Sequence, residues 1–301
     1  MSEVRPSEAP RGALVAAAPA GLAPRSPRSR TEWLNAEAAR RWRRRALTRL
    51  QLFWLVHFGS QPHACNPKPM MVIAPHQDDE VLGCGGLIAL KRRAGVPVQI
   101  VFVTDGAASH DALTVRDAQL VTLRRQEAVR AATILGVDEA DVHFLDMPDG
   151  KLQVLDPDER QRTIDALRRL LANARPQELY VPHRHDRTDD HEETYKLAMT
   201  AVRAAGLRVD VYQYAVWLLW SALLFRDFKL EELKGASRLR IHAVRDQKRN
   251  ALLAHRSQWA PRDGGAGPVL EPGFLRRFSL PDEVFFQADG SSPSTSDLRG
   301  C

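Results

Sequence analysis

The chain predicts an α/β fold, a Rossmann-like, mostly parallel sheet with helices on both faces. Two observations carry this. From residue 69 onward, short apolar runs alternate with helix-length segments, the pattern of strands that cross over through helices. Charged residues and histidines also recur just after the apolar runs, where open α/β sheets bind their ligands. The strands are predicted at Met70–Ala74, Val98–Val103, Val142–Leu145, Glu178–Val181 and Val209–Val216. The helices between them are predicted at Val81–Arg93 (ending near Gly95), Arg116–Leu135 (stopped by Gly136), Asp158–Ala174 (Pro157 before it, Pro176 after) and Asp190–Ala205 (ending at Gly206). The apolar run Val216–Phe225 is too short to span a bilayer and reads as core.

Ahead of the sheet lie a tail and a helix. Residues 1–30 are rich in Ala, Pro, Arg and Ser and read as disordered. Leu14–Ala23 is weakly apolar, is broken by Pro19 and lacks a compact basic start, so it does not read as a secretory signal. Residues 31–66 form a basic amphipathic helical extension. Its helix is predicted over 31–58 with Ser29 and Glu32 as a capping box. This extension supports peripheral membrane contact through residues 31–58, with arginines on headgroups and Leu50–Val56 at the acyl boundary. The competing reading is a helix packed on the domain with a solvated basic face. His57 and His63 read as surface residues. Residues 286–301, rich in Ser, read as a second disordered tail.

The net charge of +6 belongs to the N-terminal part. Residues 1–66 hold eleven Arg and four Glu, whereas the remaining 235 residues hold 32 basic and 33 acidic groups. A near-neutral main domain argues against nucleic acid as a partner. Three scattered cysteines with no CxxC spacing argue against a disulfide framework and a cysteine zinc site, and fit a reducing compartment.

The chemistry concentrates in two loops. The first strand runs directly into His76-Gln77-Asp78-Asp79-Glu80, and the fourth is followed by His183-Arg184-His185-Asp186-Arg187-Thr188-Asp189-Asp190-His191. Imidazoles and carboxylates without cysteine suit an open metal site that keeps a position for water. Adjacent aspartates suit a division of labour, in which one ligates and the other takes a proton from the water. Glu80 reads either as a helix N-terminal residue or as part of the chemistry. Gly83, Gly85 and Gly86 lack the GxGxxG order of a dinucleotide site and instead permit close helix packing.

Ala74-Pro75-His76-Gln77-Asp78-Asp79-Glu80 closely resembles the AHPDDE motif of the PIG-L/LmbE-like zinc-dependent N-acetylglucosaminyl deacetylases, with Gln77 in place of proline. Val103–Gly106, Arg124-x-x-Glu127, Asp149–Leu152, Asp190-His191 and Lys248-x-x-Ala251-Leu252-x-x-His255-x-Ser257-Gln258 resemble later blocks of that family, in order. The resemblance covers roughly 69–260 and implies an LmbE-like deacetylase domain at 67–285. It implies His76, Asp79 and His191 as zinc ligands, with Fe2+ an alternative metal, and Asp78 as the general base. The implied reaction is removal of the N-acetyl group from an amino sugar, either a small molecule or a lipid-linked glycoconjugate. Arg124, Asp105 and His185 are candidate substrate contacts. Where many members carry a further histidine, three residues before the last ligand, this chain has Thr188; His183 and His185 are the nearby substitutes. The expected location is cytoplasmic, on the inner membrane face if the extension docks. The rival readings are a non-catalytic sugar-binding or membrane-associated protein on this fold, and another metal-dependent amide or ester hydrolase.

Overall fold

A computed structural model describes residues 30–109, 118–223, 226–227, 229–233, 235–261 and 268–288, with side-chain environments from residue 38. Ser29 and most of both expected tails lie outside the described residues. The chain divides into two compact units, residues 1–42 and 43–301. In the first, residues 30–42 are helical.

The larger unit is built on one eight-stranded sheet in the order β1-β7-β8-β6-β5-β2-β3-β4. The strands are β1 (Gln61–Pro62), β2 (Met70–Ala74), β3 (Val98–Thr104), β4 (Val142–Met147), β5 (Glu178–Pro182), β6 (Asp210–Tyr214), β7 (Ala236–Arg240) and β8 (Asp282–Gln287). The helices are α1 (Arg30–His57), α2 (Asp79–Arg93), α3 (Ala118–Leu135), α4 (Pro157–Ala174), α5 (Asp189–Ala205), α6 (Trp217–Ser221), α7 (Arg245–Ala254), α8 (Arg256–Trp259) and α9 (Pro272–Phe278). The alternation read from the sequence is thus present, with boundaries within about two residues. Only β8 runs antiparallel, against β6 and β7.

The strands sort their side chains between two cores. Met70, Val72 and Ala74 of β2 face α2, α3 and α7 through Leu87, Ala131 and Leu252. Met71 and Ile73 face α4 and α5 through Leu167 and Leu197. Burial on both faces explains why β2 reads as a continuous apolar run. Asp156 caps α4 by accepting from the Glu159 N–H, with Pro157 in the first turn.

Two glycines, Gly83 and Gly86, let α2 lie close to β6 and to the end of β7. A Cβ on Gly83 would come 2.3 Å from the Tyr214 ring, and one on Gly86 would come 2.5 Å from Ile241. The same bareness admits polar groups to the helix backbone. Gly86 and Leu87 N–H donate to the Glu283 carboxylate at 2.6 and 2.9 Å. Lys248 Nζ donates to the Leu82 carbonyl at 3.0 Å and pairs with Glu283 at 2.7 Å. This buried pair fills its hydrogen-bonding capacity on α2, which is what allows charge in a core.

From residue 43 onward α1 packs on the same unit. Leu52 and Leu55 join Leu218, Ala222, Val284 and Phe286 in a third apolar cluster. Arg44 pairs with Asp227 and Arg45 with Glu271. The run after β6 is core, as expected: Val216, Leu218, Leu219 and Ala222 are buried, while Leu224 and Phe225 lie outside the described residues. His63 departs from its surface reading. It is half-buried, 2.9 Å from both Ser237 Oγ and Tyr180 Oη. Among the described residues no helix is long and apolar enough to cross a membrane.

Candidate active site

Strand order reverses around β2, which has β3 on one side and β5 on the other. A crevice therefore opens beyond the carboxyl ends of β2 and β5. His76–Glu80 follows β2 and His183–His191 follows β5, so two segments a hundred residues apart meet there.

Asp79 stands at the centre. Its Oδ2 lies 3.1 Å from His76 Nδ1 and 3.2 Å from His191 Nε2. The ligand atoms of His76, Asp79 and His191 all fall within 4.8 Å of one another. Each imidazole is backed on its other nitrogen. His191 Nδ1 lies 2.8 Å from Asp186 Oδ2. Asp186 is itself fixed by the N–H groups of Val216, Trp217 and Leu218. His76 Nε2 lies 3.1 Å from Asp149 and 3.2 Å from Asp190. Asp190 in turn accepts from the N–H of Gly150 and Leu152. Carboxylates behind metal-binding histidines fix the ring and its tautomer.

The electrostatics favour a cation between these groups. Burial pushes Asp79 up, but the His191 and His76 rings beside it outweigh that and hold it below the usual carboxylate range. Burial pushes His191 down, yet Asp79 and Asp186 raise it to about 9. His76 is likewise raised against burial, by Asp149, Asp190 and Asp79. Both imidazoles thus hold positive charge among four carboxylates, the charge a divalent metal would otherwise supply. Two nitrogens and one carboxylate oxygen form an open donor set, so the residues fit a metal.

Asp78 sits between β2 and α2 with φ 141° and ψ −27°, a region costly for a non-glycine residue. Three contacts hold it there. Its N–H donates to Glu80 Oε2 at 2.9 Å, and its carbonyl accepts from the Leu82 N–H at 2.9 Å. Its Oδ1 lies 3.6 Å from Arg124 Nη2. Burial, then the neighbouring Asp79 charge, raises its pKa to about 7. Glu80 thus accepts a backbone donor at the start of α2, as its N-terminal reading has it, and adds a contact to His255 that neither reading included. Its carboxylate, fully buried, bridges the Asp78 backbone and His255 Nε2 at 3.2 Å.

Arg124 reaches from α3 beneath the motif. It donates to the Gln77 carbonyl at 2.6 Å and the Gly106 carbonyl at 2.9 Å. Gln77 bridges to β3 by donating to the Thr104 carbonyl at 2.8 Å. Gly106, at φ +69°, is required: a Cβ would come 2.2 Å from Gln77 Oε1.

His76, Asp78, Asp79 and His191 thus share one site, with Arg124 against Asp78. Asp105 lies beside the site and accepts from the N–H of Ala107 and Asp149. His185 is half exposed, its Nε2 3.6 Å from Glu232. His183 is buried under the loop, its Nδ1 accepting from the His185 N–H. Thr188 Oγ1 is buried and without a partner. Sequence reasoning gave no role to Asp149, Asp186 or His255. The signal for Asp149 and His255 was their place in the family-like blocks. For Asp186 it was its place among three aspartates within the five residues before His191.

Fold and site together define an LmbE-like α/β protein with a His/Asp/His set that could hold a metal. Residues 71–202 match the family model described as PIG-L, GlcNAc-PI de-N-acetylase. A diacetylchitobiose deacetylase of Thermococcus kodakarensis is 30% identical over 143 residues, 46% of this chain and 51% of that protein. The match thus spans about half of that relative's length. A probable N-acetyl-alpha-D-glucosaminyl L-malate deacetylase 2 of Bacillus subtilis is 28% identical, covering 63% of this chain and 82% of that one. Among solved structures, the conserved protein TT1542 of Thermus thermophilus superposes with a TM-score of 0.56 at 26% identity. That superposition covers 76% of this chain and 98% of the other.

Proposed function

We propose that the chain is a zinc-dependent hydrolase that removes the N-acetyl group from an amino sugar of the N-acetylglucosamine type, free or as a glycoconjugate. The observation that carries this is the convergence of His76, Asp79 and His191 donor atoms within 4.8 Å, with Asp78 next to them. His76, Asp79 and His191 would hold the metal. Bound there, it supplies Lewis acidity that polarises the amide carbonyl and acidifies water. Asp78 takes the proton from the attacking water as the C–O bond forms. It returns the proton to the amine nitrogen as the C–N bond breaks, giving acetate and the free amino sugar. A carboxyl near pKa 7 is matched to both transfers. Arg124 fixes the Gln77 and Gly106 carbonyls and so the wall beside Asp78. The Thr188 hydroxyl, buried and without a hydrogen-bond partner, lies three residues before His191. Asp105 and His185 border the same edge and are assigned to substrate. The deacetylase names of the relatives support the reaction class.

A lipid-linked sugar and a place on the inner membrane face belong to the same proposal. The exposed Leu47, Leu50, Phe53 and Trp54 of α1, with Phe58 just after it, support them. The test is metal content and acetate release on a panel of N-acetylhexosamine conjugates with soluble and lipid aglycones, with and without anionic vesicles. Asp78→Ala is expected to keep zinc and lose release. Wild-type release from that variant overturns the base assignment, and equal rates on soluble and lipid aglycones, unmoved by vesicles, overturn the membrane part.

A further inference from the structure

A second cavity, of about 470 Å3, shares no lining residue with the His/Asp cluster. It lies between the inner face of α1, the first turns of α2, and the segment from α9 to β8. Its walls are mainly apolar, with Leu52, Phe53, Val56, Leu82, Leu219 and Val284 among them. Its volume falls in the range of ordinary small-molecule sites.

Its charges are unbalanced. Lys248 and Glu283 line the floor and satisfy one another. Asp282 also lines it. Three arginines remain: Arg49 and Arg276 are exposed, and Arg277 is buried in the wall. Arg277 Nη1 donates to Thr48 Oγ1 at 3.0 Å and the Leu219 carbonyl at 2.7 Å, and the guanidinium lies 5.0 Å from the Trp220 ring. Its Nη2 is buried with no partner. Among the described residues, none of these three arginines has a carboxylate within ion-pair distance. A buried guanidinium whose Nη2 lacks an acceptor and whose charge has no carboxylate beside it is costly, and an anion would answer both. Burial and the charge of Arg49 lower the Arg277 pKa to about 10, the direction expected of a cation lacking a counter-charge.

We propose that this cavity binds an anionic single-chain amphiphile, its alkyl chain against the apolar walls and its acidic head on Arg277 with Arg49 and Arg276. An oxyanion would take its donors from the unpartnered Nη2 of Arg277 and from the exposed Arg49 and Arg276 guanidinium groups. The site is separate from the deacetylase reading and does not depend on it.

The test is calorimetric titration of the full chain with laurate below its micelle concentration, beside acetate, inorganic phosphate and dodecyl maltoside. Laurate is expected to bind one to one, at least tenfold tighter than the uncharged maltoside, with no saturable binding of acetate or phosphate. Arg277 also anchors local structure, so the charge is tested at exposed Arg49. Arg49→Glu is expected to weaken laurate at least fivefold, and Val56→Trp, which fills the hollow, to abolish binding. Both should leave the unfolding temperature within a few degrees. Equal affinity for laurate and maltoside, wild-type binding by both variants, or no laurate binding at all overturns the proposal. Saturable phosphate binding at laurate's affinity would make the site one for a free oxyanion and overturn the alkyl part.

Discussion

Glu80 is the clearest place to separate holding a catalytic group from being one. Its carboxylate accepts from the Asp78 N–H at 2.9 Å and lies 3.2 Å from His255 Nε2. Glu80→Gln keeps volume and shape but turns one acceptor into a donor. It must therefore face either the Asp78 N–H or His255 with the wrong group. One buried hydrogen bond to a charged acceptor is lost and one donor is left unanswered, at about 1–3 kcal/mol. The backbone of Asp78, held at φ 141° against a strain of order 1–3 kcal/mol, loses its main clamp and is expected to relax. A displacement of about 1 Å of a reacting group costs on the order of a hundredfold in rate. The expected result is a folded protein destabilised by about 1–3 kcal/mol in urea. It should carry wild-type zinc, with kcat down about a hundredfold and KM little changed. Urea unfolding, metal analysis and steady-state acetate release read the three quantities. Wild-type kcat in a variant that has lost stability would refute the clamp, since the bond would then matter to folding alone.

Two more outcomes follow from side chains outside the ligand set. Asp186→Asn is expected to lower zinc affinity about 10–100-fold with the fold intact, because His191 loses the carboxylate 2.8 Å behind its Nδ1; competition with a chelator measures it, and unchanged affinity would show the ring is oriented by packing alone. Burial first, then the charges of His185 and Arg184, lowers His183 to about 3, and burial with Lys91 lowers His63 to about 4. The unfolded chain binds these protons below about pH 6.5, so this stability is complete above 6.5 and is lost as pH falls from there toward 4 and then 3. For His183 alone the loss between pH 6.5 and 5 is about 1–2 kcal/mol. Urea unfolding of wild type and His183→Gln should give curves that converge on acidification, and parallel curves would contradict it.

What the sequence made legible follows from the range over which each signal acts. The alternation of β2 through β6 with their helices could be read because β2, β3 and β5 are buried along most of their length and the helices have local stop signals at Gly95, Gly136, Pro176 and Gly206. β7 and β8 were not anticipated. Ala236–Arg240 carries two arginines and a serine, and Asp282–Gln287 opens on two acids. They become strands because β7 pairs with β1 and β8, and β8 pairs with β6, partners roughly 40 to 180 residues away. The site divides in the same way. His76, Asp78 and Asp79 stand together in the sequence. Asp186, Asp149 and Glu80–His255 act only through contacts that the fold makes, and Glu80 and His255 are 175 residues apart. His63 looked superficial because its partners, Tyr180 and Ser237, come from strands far along the chain.

The reach of Lys248 and Glu283 into α2 has a consequence for the order in which the molecule is made. The helix that begins at Asp79 emerges from the ribosome early, with three glycines in its first eight residues and little helix propensity of its own. The side chains that occupy the Leu82 carbonyl and the Gly86 and Leu87 N–H groups come roughly 160 to 200 residues later. A nascent chain therefore carries the motif long before it carries the motif's scaffold. The packing around α2 is therefore complete only once Glu283 has been made, and until then His76, Asp78 and Asp79 lack part of their support.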